Sequence, residues 1–485
     1  MTSRGHKSVP EASGSHPRRS SCGMPALSQL GATRAHAEPR AIALRSNAGG
    51  VAAAAQGGAG LQEIGQGKPS GEGGAAEHPG DRQSREAWET KTISIIPFLN
   101  SVFYVLPQRP LLACRKSLWR DFLSSNLSIL QERYWPTPWC FESRCQTILA
   151  SVLRSRLPDI TYRRELLQLK DGGQVCLDWL DNAADDAKKP LIIILPGLTG
   201  SSQSEYVKSF VLMVQKAGAR CVVFNNRGRG GVELKTARTY CAANSDDLEE
   251  AILHIRSKYS EAPLMATGIS LGGMILGNYL ATRGEKAAEH LVAAMVLSIP
   301  WNVFVGTESL EKPLWNLLLN RHLAHCLVDS IRSMRKQLEG NYNWDLDHVL
   351  QSKTIREFDS RFTAVQFGFR DVEEYYRTAC LHDKLDNIKV PLLCLSAADD
   401  PFQPMEGIPV EAANKSSHVA IVVTARGGHI GFMEGMFPTN TYYSDRLYGQ
   451  LVKGIFSNLE AMKKLKKEAD DYARSCNSEA IGSES

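Results

Sequence analysis

The sequence predicts an α/β chain: a mostly parallel central sheet flanked by helices, with a helical insertion late in the sheet. Three observations carry this. Short apolar runs alternate with helical stretches from about residue 160 onward, the signature of strands joined by crossover helices. Several of these runs end at glycine-containing turns, as buried strands do. About 90 residues then separate Val292–Ile299 from the next strand-like run, Val390–Leu395, an interval too long for one crossover.

The elements follow in order. Residues 1–91 are rich in Gly, Ala, Ser, Pro and Arg and show no apolar periodicity. Such a stretch cannot bury enough surface to offset chain entropy, so it is expected to be disordered. Residues 92–130 form an apolar segment and linker, whose apolar run is a candidate membrane anchor, interfacial segment or helix lying on the domain. Its run ISIIPFLNSVFYVL (Ile93–Leu106) is shorter than the ~20 residues a spanning helix needs and contains Pro97 and Asn100. The globular domain is placed at residues 131–460, with the insertion at about 300–388 acting as a cap, and 461–485 as a helix end and tail.

Within the domain, Gly172–Gly173 turns into the strand QVCLDWL. Leu191–Leu195 is a continuous apolar strand closing at Pro196–Gly197, followed by a helix over Tyr206–Lys216. Arg220–Phe224 is a strand ending in NNRGRGG. Asp246, with Glu249 at capping-box spacing, opens a helix reaching His254. Leu264–Thr267 is a strand, Leu271–Ala281 a helix and Val292–Ile299 a strand. The insertion offers Trp315–Leu327 and Met334–Leu338 as helices. Val419–Thr424 is the last strand, and a C-terminal helix runs from about Asp445 to Ala473.

Composition excludes some classes. The net charge of +4 is small for 485 residues, and no basic face or zinc-finger spacing points to nucleic acid. The 11 cysteines are an odd number. Cys221 and Cys394 sit in apolar strands and read as buried free thiols, which suits a reducing compartment. His322 and His325 lack a carboxylate pattern for a metal and read as helix surface or core.

The chemistry concentrates in four places. Gly268-Ile269-Ser270-Leu271-Gly272 joins a strand, LMAT, to a helix, MILGNYLA. A serine on so tight a turn projects its hydroxyl from the sheet edge, and the flanking positions tolerate only small residues. It also sits at a helix N-terminus, whose N–H groups suit developing negative charge. Leu195–Gly200 closes an earlier strand and supplies a second donor site. The backbone N–H groups of Leu198 and Leu271 are therefore the candidate oxyanion hole. SAADDPFQP follows the strand PLLCL, where the carboxylate that orients a histidine belongs, and Asp399 and Asp400 are adjacent candidates. The spacing from Ala397 to Pro401 favours Asp400. His429, in RGGHIGF after the last strand, is the candidate general base, and Gly427 and Gly428 let its loop bend. The order Ser, Asp, His is that of a serine hydrolase built on this strand–turn–helix pattern. Such chemistry needs neither metal nor organic cofactor.

The LPG turn followed by TGSS, then VVFNNRG, TYCAANSDDLE, GISLGGM, SAADDPF and GGHIGF, together resemble the family of α/β-hydrolase domain-containing proteins 1 and 3, within the AB hydrolase 4 family. The resemblance covers roughly residues 130–458. It implies the α/β-hydrolase fold, carboxylester hydrolysis on lipid substrates and, for one branch, phospholipase action on phosphatidylcholines. It implies a triad at Ser270, Asp400 and His429, and a single-pass type II membrane protein with the catalytic domain outside the cytosol or in a lumen. The chain departs from the family at its N-terminus, where a Gly/Ala-rich stretch precedes an interrupted apolar run. The acyltransferase motif H-x4-D of some relatives is missing, since His382 and Asp386 are one residue too close. A non-catalytic scaffold on the same fold is the alternative. Lys463, Lys464, Lys466 and Lys467 crowd the C-terminal helix; anionic lipid or plain solvation would each account for them.

Overall fold

The computed structural model describes residues 107–180, 186–340, 342–438 and 441–483. The expected disorder of 1–91 and the apolar run Ile93–Leu106 lie outside the described residues.

Nine strands form one sheet: β1 (Leu111–Ala113), β2 (Arg163–Gln168), β3 (Gln174–Leu180), β4 (Leu191–Leu195), β5 (Arg220–Asn225), β6 (Leu264–Ile269), β7 (Ala293–Leu297), β8 (Leu392–Ala397) and β9 (Val419–Thr424). Their order is β1-β9-β8-β7-β6-β4-β5-β3-β2. From β5 to β9 the neighbours run parallel, while β3, β2 and β1 are antiparallel additions. The parallel strands are buried along their whole length, as expected of strands covered on both faces. One apolar cluster fills each side of the sheet.

The seven strands expected from apolar runs are all present. The two unforeseen strands lie at the edges. β2 reads RRELLQ and leaves alternate residues exposed, and β1 is three residues long. Charge and brevity are how sheets blunt their edges, and both erase the apolar signal.

The chain crosses from β4 to β5 on one side and then returns over β4 to β6. The crevice at such a reversal, outside the carboxyl ends of the strands, is where an α/β sheet binds ligand. The segments leaving β4 and β6 there are the LPGLTG loop and Ser270.

Between β7 and β8 the chain is helical: Val303–Glu311, Trp315–Ser333, Arg335–Leu338, Leu346–Val349, Ile355–Phe358, a π-helical turn Asp359–Thr363, Ala364–Gln366 and Val372–Ala379. Only Trp315–Leu327 and Met334–Leu338 were expected. The remaining pieces are mostly single turns, too short to show a period of 3.6. They hold together through a small separate cluster that includes Leu327, Ile331, Met334 and Phe362.

Two boundary expectations fail. Asp246 is the first helical residue rather than the cap; Ser245 holds the cap position without a side-chain hydrogen bond. Glu249 turns outward to pair with Arg283 at 2.7 Å. The long C-terminal helix is two helices, Tyr443–Ser457 and Leu459–Ser483. Asn458 separates them, its Nδ2 donating to Gly454 O at 2.8 Å and to Asn126 Oδ1 at 3.1 Å.

Candidate active site

Ser270 sits between β6 and the helix Leu271–Arg283 with φ 53° and ψ −121°, a conformation costly for a residue with a Cβ. Its neighbours explain how the turn closes. A Cβ on Gly268 would meet the Gly273 Cα at 2.5 Å, and one on Gly272 would meet Pro196 O at 2.3 Å. Both obstacles are backbone, so neither position admits a side chain. The Ser270 N–H donates to Leu297 O at 2.9 Å, which pins the turn to the end of β7.

His429 reaches the serine from the loop after β9. Its Nε2 lies 2.9 Å from Ser270 Oγ. Its Nδ1 lies 2.9 and 3.1 Å from the two oxygens of Asp400. Serine, imidazole and carboxylate thus form one continuous hydrogen-bonded line. His429 and Asp400 are both buried, which makes their contact stronger than the same pair in water.

The two aspartates divide their work. Asp400 faces the imidazole, and its Oδ1 also accepts from the Phe402 N–H at 2.8 Å. Asp399 points the other way and accepts the Gly428 N–H at 3.0 Å, with Arg426 3.6 Å distant. Burial pushes its carboxyl up to about 6, against the lowering pull of Gly428 and Arg426. Asp399 therefore shapes the loop that carries the histidine. Gly427 and Gly428 have φ 152° and 57°, so the bend expected of this loop is present.

Several supports had no sequence signal. Thr147, on the helix Ser143–Arg154, accepts the His429 N–H at 2.9 Å. Arg154 of the same helix donates to Ile430 O at 2.7 Å. Ser298 accepts the Ile430 N–H at 3.1 Å. Phe402 stacks on the imidazole, ring centroids 3.9 Å apart and planes 25° from parallel. These partners lie up to 282 residues away, beyond the reach of local pattern.

Leu198 and Leu271 line the same cavity as Ser270. Leu271 is the first residue of its helix, so its N–H has no intrahelical acceptor. The Leu198 loop is pressed against Ser270: a Cβ on Gly197 would lie 3.2 Å from the Ser270 Cβ. Tyr206 holds this loop by accepting the Gly197 N–H at 3.0 Å. Farther along, Asn225 at the end of β5 accepts the Ser202 N–H at 2.8 Å and donates to Asp178 at 3.0 Å. Arg227 of the RGRGG stretch is buried and clamps Asp247 through two bonds of 2.6 and 2.7 Å. The NNRGRGG motif thus braces loops and carries no reactive group to the serine.

The cavity measures about 290 Å³. Its inner wall is largely apolar and comes from the insertion, including Leu319, Leu323, Leu327 and Phe362. His322 belongs to this wall with Cys326, their Nε2 and Sγ 3.8 Å apart, whereas His325 is exposed beside Asp329. No metal-binding group of His, Cys, Asp and Glu side chains occurs among the described residues. Cys221 and Cys394 are buried and outside any disulfide, as expected.

Residues 190–324 match a family profile described as the alpha/beta hydrolase fold. "Phospholipase ABHD3" of Mus musculus is 44% identical over 355 residues, spanning 72% of this chain and 85% of the relative. The Homo sapiens protein of the same name is 43% identical over 361 residues, 73% of this chain and 87% of the relative. This chain belongs to the α/β-hydrolase family that contains ABHD3. Within that family, a "Putative esterase YheT" of Escherichia coli is 30% identical over 60% of this chain and 84% of its own length. Among solved structures, the Pyrococcus furiosus esterase Pf2001 aligns with TM-score 0.38 and 14% identity, over 61% of this chain and 90% of that one.

Proposed function

We propose that this protein is a serine carboxylester hydrolase acting on lipid esters, and specifically a phospholipase that removes acyl chains from phosphatidylcholine-type lipids. The observation that carries the reading is the unbroken line from Ser270 Oγ through His429 to Asp400, 2.9 Å at each step, at the mouth of an apolar cavity. The phospholipase names of the most similar relatives support the lipid substrate.

In this mechanism His429 Nε2 takes the hydroxyl proton as Ser270 Oγ bonds to the ester carbonyl carbon. Asp400 stays ionised and holds the proton on Nδ1, fixing the tautomer. The Leu198 and Leu271 N–H groups donate to the tetrahedral oxyanion, each worth about 3 kcal/mol. The C–O bond to the lipid alcohol breaks as His429 returns the proton to that oxygen. Water, deprotonated by His429, then releases the fatty acid from Ser270. The insertion supplies apolar walls for the acyl chain, and the enzyme works at a membrane surface, where its substrate resides.

A fluorophosphonate probe should label the wild-type protein and not Ser270→Ala, and the wild type should release fatty acid from phosphatidylcholine. Labelling that survives the substitution sinks the assignment. A non-catalytic scaffold requires an imidazole displaced from the serine, and the 2.9 Å contact speaks against it.

A further inference from the structure

Fifteen large apolar side chains are exposed among the described residues. Single exposed residues of this kind are ordinary. Eight of the fifteen, however, come from three short segments: Trp135, Trp139 and Phe141; Leu314, Trp315 and Leu318; and Met436 with Phe437.

Hydrogen bonds string these segments together. The Trp139 indole donates to Met436 O at 2.7 Å, and the Gly435 N–H donates to Trp135 O at 3.0 Å. Arg144, three residues past Phe141, donates to Asn316 Oδ1 at 2.7 Å. The three segments are thus tied to one another, and together they put eight exposed apolar side chains in one region of the surface, of the kind that marks an interaction site. Leu314 is held there at φ 71° and is 75% exposed, a strained backbone that presents an apolar side chain outward.

Two further observations say what covers this surface. The helices Ser143–Arg154 and Trp315–Ser333 both turn residues into the Ser270 cavity, Thr147 and Ser151 from one, Leu319 and Leu323 from the other. Two of the three segments therefore adjoin or belong to helices that also line the Ser270 cavity. Gln108 pairs with Tyr134, the residue before Trp135, and the run ISIIPFLNSVFYVL ends two residues earlier, at Leu106.

We propose that the face formed by residues 135–141, 314–318 and 436–437 docks on the surface of a lipid bilayer, so that a lipid ester passes from the membrane into the Ser270 cavity. The lipid occupant rests on the lipid-ester reading of that site. Trp135, Trp139 and Trp315 suit the headgroup boundary, where an amphipathic ring has one apolar and one polar surrounding. Lys312 and Arg321 are exposed nearby, but so is Glu311. Docking is therefore driven by apolar insertion rather than by charge, and it proceeds on neutral phosphatidylcholine. The lysine-rich C-terminal helix is a separate matter. Lys466 is engaged with Ala288 O and Lys463 with Glu460.

The test uses the full chain and phosphatidylcholine vesicles carrying a brominated phosphatidylcholine. In the wild type, bromine should quench part of the tryptophan fluorescence, and the variant W135F/W139F/W315F should lose most of that quenching. The variant W139E/W315E/F437E should hydrolyse vesicle lipid at least tenfold more slowly, while turnover of a water-soluble short-chain nitrophenyl ester stays within twofold. Quenching equal in the wild type and the triple-phenylalanine variant overturns the proposal. A parallel fall in both activities would mean damage to the fold, and the quenching of the triple-phenylalanine variant then decides. Tryptophans already shielded from acrylamide without vesicles overturn it in favour of another part of the chain or a second copy. A wild type that is quenched by vesicles yet cleaves no phosphatidylcholine leaves the docking face standing and removes the phospholipase reading instead.

Discussion

Strand β9 has a serine–histidine–aspartate set at each end. At its carboxyl end Ser270, His429 and Asp400 form the line described above. At its amino end His418 Nδ1 lies 2.8 Å from Ser417 Oγ, and its Nε2 lies 3.2 Å from Asp470. Residue types and distances are nearly the same, yet only one set has the other features that the proposed catalysis requires. Ser417 precedes its histidine directly in the chain, occupies no positive-φ turn and does not line the Ser270 cavity. His418 is completely buried, and burial, helped by Lys389, Lys466 and Arg115, pushes its imidazole down to about 3. An imidazole so hard to protonate is a poor proton carrier near neutral pH. On the proposed reading, a reactive set differs from a structural one in its backbone strain, its neighbouring N–H donors and its cavity, not in the three side chains alone.

The sharpest way to break this comparison is to delete each hydroxyl. Ser270→Ala should lower ester turnover by about 10⁵-fold, and Ser417→Ala should leave it within twofold. Equal losses measured on a soluble ester would dissolve the distinction. Next come the carboxylates. Asp400→Asn should cost about 10⁴-fold in kcat through the wrong imidazole tautomer. Asp399→Asn should cost roughly tenfold, because it loosens the Gly428 loop without touching the imidazole. The kcat ratio of these two variants separates orienting the ring from holding its loop.

The site was far more legible in the sequence than the walls around it. Ser270, Asp400 and His429 each follow a buried strand, and each lies beside small or turn-forming residues that the backbone requires. A Cβ at Gly272 has no space against Pro196 O, so the steric need is written as glycine. The insertion carries no such signal. Asp359–Thr363, Ala364–Gln366 and Val372–Ala379 are positioned by contacts such as Tyr376 with Asp359 and Gln366 with Thr239, which join residues 17 and 127 apart. Thr147 and Phe402 escaped notice for the same reason: their importance lies in what they touch.

The structural histidine also has a thermodynamic signature. Its folded value, about 3, lies below the ordinary 6.5, so as pH falls below 6.5 the unfolded chain binds a proton that the folded chain refuses. The stability His418 contributes is complete above 6.5 and drains away between 6.5 and 3, at about 1.4 kcal/mol per pH unit. His418→Gln should abolish that slope. Urea unfolding at pH 7 and at pH 5 should therefore show the variant gaining on the wild type as the solution becomes more acidic. A gap independent of pH would mean that His418 is not the group held neutral.

Asp359 sharpens the contrast from the opposite direction. This buried carboxyl in the cavity wall bonds only to hydroxyls, Thr363 at 2.8 Å and Tyr376 at 3.1 Å, and has no imidazole or cation to stabilise its charge as Asp400 has. Burial pushes it up to about 7 from an ordinary 3.8. Between these values the folded chain holds a proton that the unfolded chain has lost. The stability this group contributes is therefore complete below 3.8 and is lost as pH rises through 7. Asn keeps an acceptor for one hydroxyl, offers its amide N–H to the oxygen of the other, and cannot ionise. Asp359→Asn should be close to the wild type at pH 5 and more stable by roughly 2 kcal/mol at pH 8, read from urea midpoints at the two pH values. A variant that loses stability equally at both would show that the carboxylate finds a favourable partner in the cavity wall, and the contrast with Asp400 would then rest on geometry alone.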